Sequence, residues 1–172
     1  MLLGVRNSVK ILLMNEKKEI LLMCADDPTT TSMEGKYHGR FWFPIGGKIE
    51  LGESIQEAAL RELYEETGIT QDKIELGPIV WFGEFDLILA GRAQRLNEKF
   101  IVATTKQTNI SLDNLTDEER AVVKNIAWFS LDTIKKSTEV IFPILLPQYL
   151  PDILAGRYPA QPIEIDLARQ PA

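Results

Sequence analysis

Within residues 47–69, GKIELGESIQEAALRELYEETGI, Arg61 and the glutamates Glu53, Glu62, Glu65 and Glu66 are spaced so that they could hold a cation against a phosphate. On a helix, Glu62, Glu65 and Glu66 share one face by the i, i+3, i+4 rule. A run such as RELYEE usually faces water, and a solvated face would lie opposite the apolar stripe of Ile55, Ala58, Ala59 and Leu63. Here the carboxylates instead continue that stripe toward the helix C-terminus, where the helix dipole is already negative. Three repelling carboxylates at the edge of a core need positive charge. Arg61 can neutralise one, and a divalent cation is the natural remainder. Oxygen-only ligands specify a hard ion, best met by Mg²⁺, with Mn²⁺ as a substitute. Such an ion polarises a phosphoryl oxygen and acidifies water, and a carboxylate can accept the proton as that water attacks phosphorus. The glycines at 46 and 47 allow a close backbone approach to metal or phosphate.

These groups need a rigid frame. Ser54 followed by Glu57 predicts a capping box, and Gly68 a left-handed C-cap, so the helix runs to about Thr67. Residues 5–14 and 19–24, joined by the polar turn at 15–18, predict a β-hairpin. Residues 25–40 read as a long polar loop. Phe41, Trp42 and Phe43 predict a buried strand end, with one ring as a candidate pocket wall. Residues 74–90 predict one or two strands, 98–105 and 126–129 one each, and the stretches after Thr116 and at 131–136 short helices. Pro143, Pro147 and Pro151 cap or kink one or two short helices. From about residue 159 a proline-rich tail is expected to drape over the surface. Strands and helices without a βαβα rhythm predict an α+β fold, a mixed sheet packed with helices, over residues 1–172 as one domain.

Composition narrows the function classes. The chain has 172 residues, 45% hydrophobic and 26% charged, with net charge −6. There is no basic run to neutralise a polyphosphate backbone, so no nucleic acid polymer is expected as a partner. Cys24 is the only cysteine, which excludes an intramolecular disulfide, suits a reducing compartment and reads as core filling. His38 is the only histidine, which excludes a multi-histidine metal site. The N-terminus matches neither a signal peptide nor a membrane span, and the expected location is cytoplasmic.

Gly47, Glu53, Arg61, Glu62, Leu63, Glu65, Glu66, Gly68 and Ile69 fill every fixed position of a known signature. The pattern resembles the box of the Nudix hydrolases, and the order of flanking segments is similar across nearly the whole chain. The resemblance implies a Nudix fold, a mixed β-sheet sandwiched between α-helices. It implies Mg²⁺- or Mn²⁺-dependent hydrolysis of a nucleoside diphosphate linked to another moiety: a nucleotide sugar, a dinucleotide or a nucleoside triphosphate. By position, Glu65 and Glu66 would ligate metal directly, Glu62 would bind it through water or act as base, and Glu53 and the Gly46 carbonyl would add ligands. Arg61 would orient a neighbouring glutamate. A further carboxylate from outside the box is expected from Glu98, Glu118 or Glu119. Tyr37, Arg40, Trp42, Trp81, Phe82 and Arg95 are candidates to grip a base, sugar or distal phosphate. The rival classes are a catalytically silent nucleotide-binding regulatory module of the same fold and an interaction scaffold. The intact box weighs against the first, and the Gly47–Gly68 spacing does nothing for the second.

Overall fold

Strand β1, Gly4–Met14, alternates in a way that dictates two cores. Successive side chains on a strand point to opposite faces. Val9, Ile11 and Leu13 point to one face, Leu12 and Met14 to the other, and all are buried. The chain therefore forms a sheet covered on both sides. The computed structural model describes residues 3–33 and 38–171. Its remaining strands are β2 (Ile20–Ser32), β3 (His38–Pro44), β4 (Gly46–Lys48), β5 (Ile74–Leu89), β6 (Arg92–Thr105), β7 (Val123–Phe129) and β8 (Ile163–Glu164). All eight join one mixed sheet, in which β1 pairs parallel with β6 and antiparallel with β4.

Helix α1, Ile55–Thr67, covers one face. Ser54 Oγ accepts the Glu57 N–H and the Glu57 carboxylate accepts the Ser54 N–H, the capping box expected from sequence. Such a cap is worth about 1 kcal/mol. Gly68 ends the helix at φ 75°, and its N–H donates to the Tyr64 carbonyl. Ala58, Ala59 and Leu63 bury against Val9, Ile11, Ile45 and Ile101. The opposite face is covered by the short helices α3 (Leu131–Lys136) and α4 (Leu146–Leu154), through Ile134, Leu146, Leu150 and Ile153. Helix α2, Asp117–Val122, is capped by Thr116 and leads into β7. No described helix is long and apolar enough to cross a membrane. Cys24 is buried in the second core.

Three expectations change. Residues 25–32 continue β2 and are not a loop, and β3 already begins at His38. The polar composition hid a strand of β-branched threonines around a local irregularity. The Asp27 carboxylate accepts the Thr29 N–H (2.9 Å), the Thr29 hydroxyl (2.6 Å) and the Thr30 hydroxyl (2.8 Å), and the register shifts between Asp27 and Thr31. Past that bulge the strand re-pairs with β5, Thr31 opposite Ile88 and Ser32 opposite Leu87. Strands β6 and β7 also begin earlier than expected, at Arg92 and Val123. The tail after residue 159 does not merely drape. Ile165 and Leu167 are buried in the second core, and β8 adds a parallel strand beside β5.

Candidate active site

The site lies where α1, β4 and the middle of β1 meet. Gly46 and Gly47 pair with Lys10 and Val9 of β1. A Cβ on Gly46 would be driven into the Val9 carbonyl, and one on Gly47 into the Glu62 carboxylate. Backbone, not side chain, must therefore form this wall. Gly46→Ala is expected to cost about 2 kcal/mol, since the obstruction is main chain that cannot rotate away. A denaturant titration showing wild-type stability would contradict that packing.

Arg61 organises the carboxylates. Its Nε and Nη2 fork onto the two Glu53 oxygens at 2.6 and 2.8 Å. Its Nη1 donates to Glu62 at 2.9 Å and Glu65 at 3.2 Å, and Nη2 also reaches the Lys48 carbonyl at 2.9 Å. This guanidinium, helped by the Glu50 N–H, holds the Glu53 carboxyl down at about 2. Glu62 and Glu66 are 7% and 4% exposed. Burial pushes both carboxyls up, and each also feels the other as a hydrogen-bonding neighbour. The Gly46 N–H faces Glu66 Oε2 at 3.4 Å. The Glu65 side chain is the most open of the set.

Among the described residues, no three acidic, cysteine or histidine side chains converge closely enough to hold an ion as they stand. Arg61 instead engages oxygens of Glu53, Glu62 and Glu65. The donor set nonetheless fits a hard divalent cation. It is all oxygen, it includes two buried carboxyls whose ionisation is resisted by burial, and it is backed by a glycine wall with no side chains.

Beside this cluster a cleft of about 290 Å³ opens between β1, β2, β3, β5 and β6. Gly46, Gly47 and Glu66 form its floor at the cluster end. Lys10 enters with Nζ 4.8 Å from the centre of the Phe43 ring and 3.9 Å from Glu98. Burial raises the Glu98 carboxyl, while Lys10 and Arg6 oppose the shift.

The other sequence candidates separate clearly. Glu98 and Glu119 line the cleft, and the Glu119 charge is felt at Glu66. Glu118 is exposed at the start of α2. Arg40 is exposed and pairs with Glu139, and Trp42 lies in the second core with its indole N–H donated to the same glutamate. Arg95 is exposed and paired with Asp86. None of Arg40, Trp42 and Arg95 lines the cleft, because each points to the other side of its strand from the residues that do. Trp81 is sealed in the core and Phe82 faces outward. Tyr37 lies outside the described residues. Phe41 and Phe43, not Trp42, supply the aromatic wall expected from that triplet, whereas nothing in the sequence singled out Lys10, Ser32 and Gln170 as cleft residues.

A family model for the NUDIX domain matches residues 4–146. The chain is 27% identical over 135 residues to the m7GpppN-mRNA hydrolase NUDT17 of Xenopus laevis, 77% of this chain and 44% of that protein. It is 30% identical over 118 residues to Nudix hydrolase 19, chloroplastic, of Arabidopsis thaliana, 67% of this chain and 24% of that protein. The chain thus spans less than half the length of these curated relatives. Its fold is similar to a crystal structure of a MutT protein from Methanosarcina mazei Go1, with TM-score 0.63 at 22% identity, covering 91% of this chain and 97% of that one.

Proposed function

The chain belongs to the Nudix family, and we propose on that premise that it hydrolyses a pyrophosphate bond in a nucleoside diphosphate derivative with the help of Mg²⁺ or Mn²⁺. The observation that carries this reading is the buried pair Glu62 and Glu66, resisting ionisation beside a side-chain-free wall at one end of a cleft. A divalent cation held there would screen phosphoryl oxygens and acidify a water.

The residues divide the remaining work. Glu65 and Glu66 would hold the cation, with Glu53 and the Gly46 carbonyl as further oxygen ligands. Glu62 takes a proton from the attacking water, and its burial raises its basicity for that task. The water oxygen bonds to phosphorus as the bridging P–O bond breaks, and the departing phosphate keeps that electron pair. Arg61 keeps Glu62 and Glu53 aligned through its fork of hydrogen bonds. Lys10 supplies the positive charge an anionic substrate meets inside the cleft. Glu119 is the extra carboxylate in this reading, because it alone of the three candidates both lines the cleft and acts on Glu66. The products are a nucleoside monophosphate and a phosphorylated remainder, or pyrophosphate from a triphosphate.

With Mg²⁺ and a panel of nucleotide sugars, dinucleoside polyphosphates and nucleoside triphosphates, release of nucleoside monophosphate is expected. Absence of turnover across the panel overturns the assignment. Mg²⁺ at about 100 times its Kd is also expected to add roughly 2.7 kcal/mol of stability. That is about 5–10 °C in Tm for a chain of this size, reversed by chelator. A Tm indifferent to Mg²⁺ and Mn²⁺ contradicts the cation site.

A further inference from the structure

The family match ends at residue 146, yet the chain beyond it returns to the cleft. Ile163 and Glu164 pair with Trp81 and Phe82 of β5, and the Ile165 N–H donates to the Phe82 carbonyl at 2.9 Å. Gly83 makes room for this seat. A Cβ there would come within 2.8 Å of both the Ile165 carbonyl oxygen and Leu167 Cγ. The tail so anchored delivers Leu167 and Gln170 to the cleft wall.

Two polar atoms stand out. Among the described residues, Ser32 Oγ and Gln170 Oε1 are the buried side-chain oxygens or nitrogens with no hydrogen-bond partner. Both residues line this cleft, and Ser32 is 5% exposed. The Gln170 amide is already oriented, because its Nε2 donates to the Ala168 carbonyl at 3.1 Å and leaves Oε1 to accept. Buried polar groups are normally paired, so each of these oxygens lacks a complement that a ligand can supply. A phosphate cannot serve Gln170, since both would be acceptors. The complement must carry an N–H or O–H. Phe41, Phe43, Phe85 and Phe100 make the surrounding walls aromatic. Such walls favour a flat ring, and π-faces stack on them with little regard to sequence detail. A volume of about 290 Å³ for the whole cleft lies at the small end for ligand clefts.

We propose that the tail-side end of this cleft is a nucleobase slot. Gln170 Oε1 and Ser32 Oγ read the hydrogen-bonding edge of a base that bears an N–H donor, and residues 163–170 are the specificity wall of the enzyme. This rests on the reading of the glutamate cluster as a pyrophosphohydrolase site, with the phosphates at Gly46, Gly47 and Glu66 and the base at the other end.

The test uses nucleotide binding without metal, so that it reads the slot and not turnover. Calorimetry on the full chain compares AMP, GMP and CMP with purine riboside 5′-monophosphate, whose base has no amino group and no N–H on the corresponding edge. At least one amino-bearing nucleotide is expected to bind about tenfold more tightly than the purine riboside compound. Gln170→Leu is expected to bring that ratio to within about twofold while leaving the weaker ligand's affinity unchanged. Gly83→Val, which lifts the tail without touching a cleft oxygen, is expected to do the same. A wild type that does not discriminate overturns the slot, and so does a Gln170→Leu variant that keeps its preference. If the preference collapses as expected but no substrate is hydrolysed, the slot stands and the catalytic reading falls. If hydrolysis persists with the base preference untouched by Gln170→Leu, the reverse holds.

Discussion

Glu66→Gln is expected to lower turnover by about a thousandfold or more while raising the Tm of the metal-free protein at neutral pH. The activity loss follows from removing one charged oxygen ligand from a site worth several kcal/mol of transition-state charge stabilisation. The stability gain follows from burial. Glu66 is 4% exposed, and its carboxyl is pushed up by desolvation, then by the Glu62 charge, with Glu119 adding to the shift and Lys10 opposing it. A carboxyl whose native pKa is raised contributes stability that is fully present below its unfolded pKa of about 4.3, and that contribution is lost as pH climbs through the native value. The metal-free wild type should therefore lose stability as pH rises above the unfolded value, and the neutral amide should flatten that slope. The amide keeps the shape and can still accept from the Gly46 N–H. Mg²⁺ should no longer raise the Tm of the variant. Thermal melts across pH with and without Mg²⁺, alongside steady-state rates, measure all of this. Wild-type turnover in Glu66→Gln, or a lower metal-free Tm at pH 8, would sink the assignment of this residue.

Arg61→Ala is the opposite case, losing both stability and activity. It strips five oxygen partners at once: both Glu53 oxygens, one each of Glu62 and Glu65, and the Lys48 carbonyl. Removing one partner from a partly buried ion network leaves uncompensated charge and costs about 3 kcal/mol. For a chain of this length that is about 6–12 °C in Tm. Turnover should drop on the order of a hundredfold, because Glu62 and Glu53 lose the group that aims them. The pH signature is distinct from that of Glu66. Glu53 is held at about 2 by Arg61, so its contribution is present above roughly pH 4.5 and is lost as pH falls toward 2. The stability gap between wild type and Arg61→Ala should be full at neutral pH and close in acid. Arg61→Lys should recover part of the loss at most, since a point charge cannot fork onto Glu53. A constant gap down to pH 2.5 would show that packing of the arginine stem, not charge, is what matters.

Much of this protein is legible in its linear order because the relevant interactions are local. The capping box from Ser54 to Glu57, the stop at Gly68 and the shared face of Glu62, Glu65 and Glu66 all lie within one helix, where spacing dictates geometry. The box residues around Gly47 needed only a short turn to bring them together. Residues 5–14 read as a strand from their composition, and the structure buries that strand on both faces.

What escaped the sequence depends on partners far along the chain. Residues 25–32 look like a polar loop until β3, β5 and β7 supply their hydrogen bonds, and the Asp27 bulge turns Ser32 toward β5. Arg40, Trp42 and Arg95 have the right chemistry for a substrate, but strand pleat and their partners Glu139 and Asp86 carry them elsewhere. Conversely, Ser32, Glu98 and Gln170 are separated by most of the chain and meet only because β2, β6 and the tail converge on one cleft. The arrangement of charge within the signature helix is thus a property of the sequence alone, since a helix converts spacing into a face. The cleft beside that helix is a property of the tertiary structure, because its walls come from strands whose register is set by pairing over long distances.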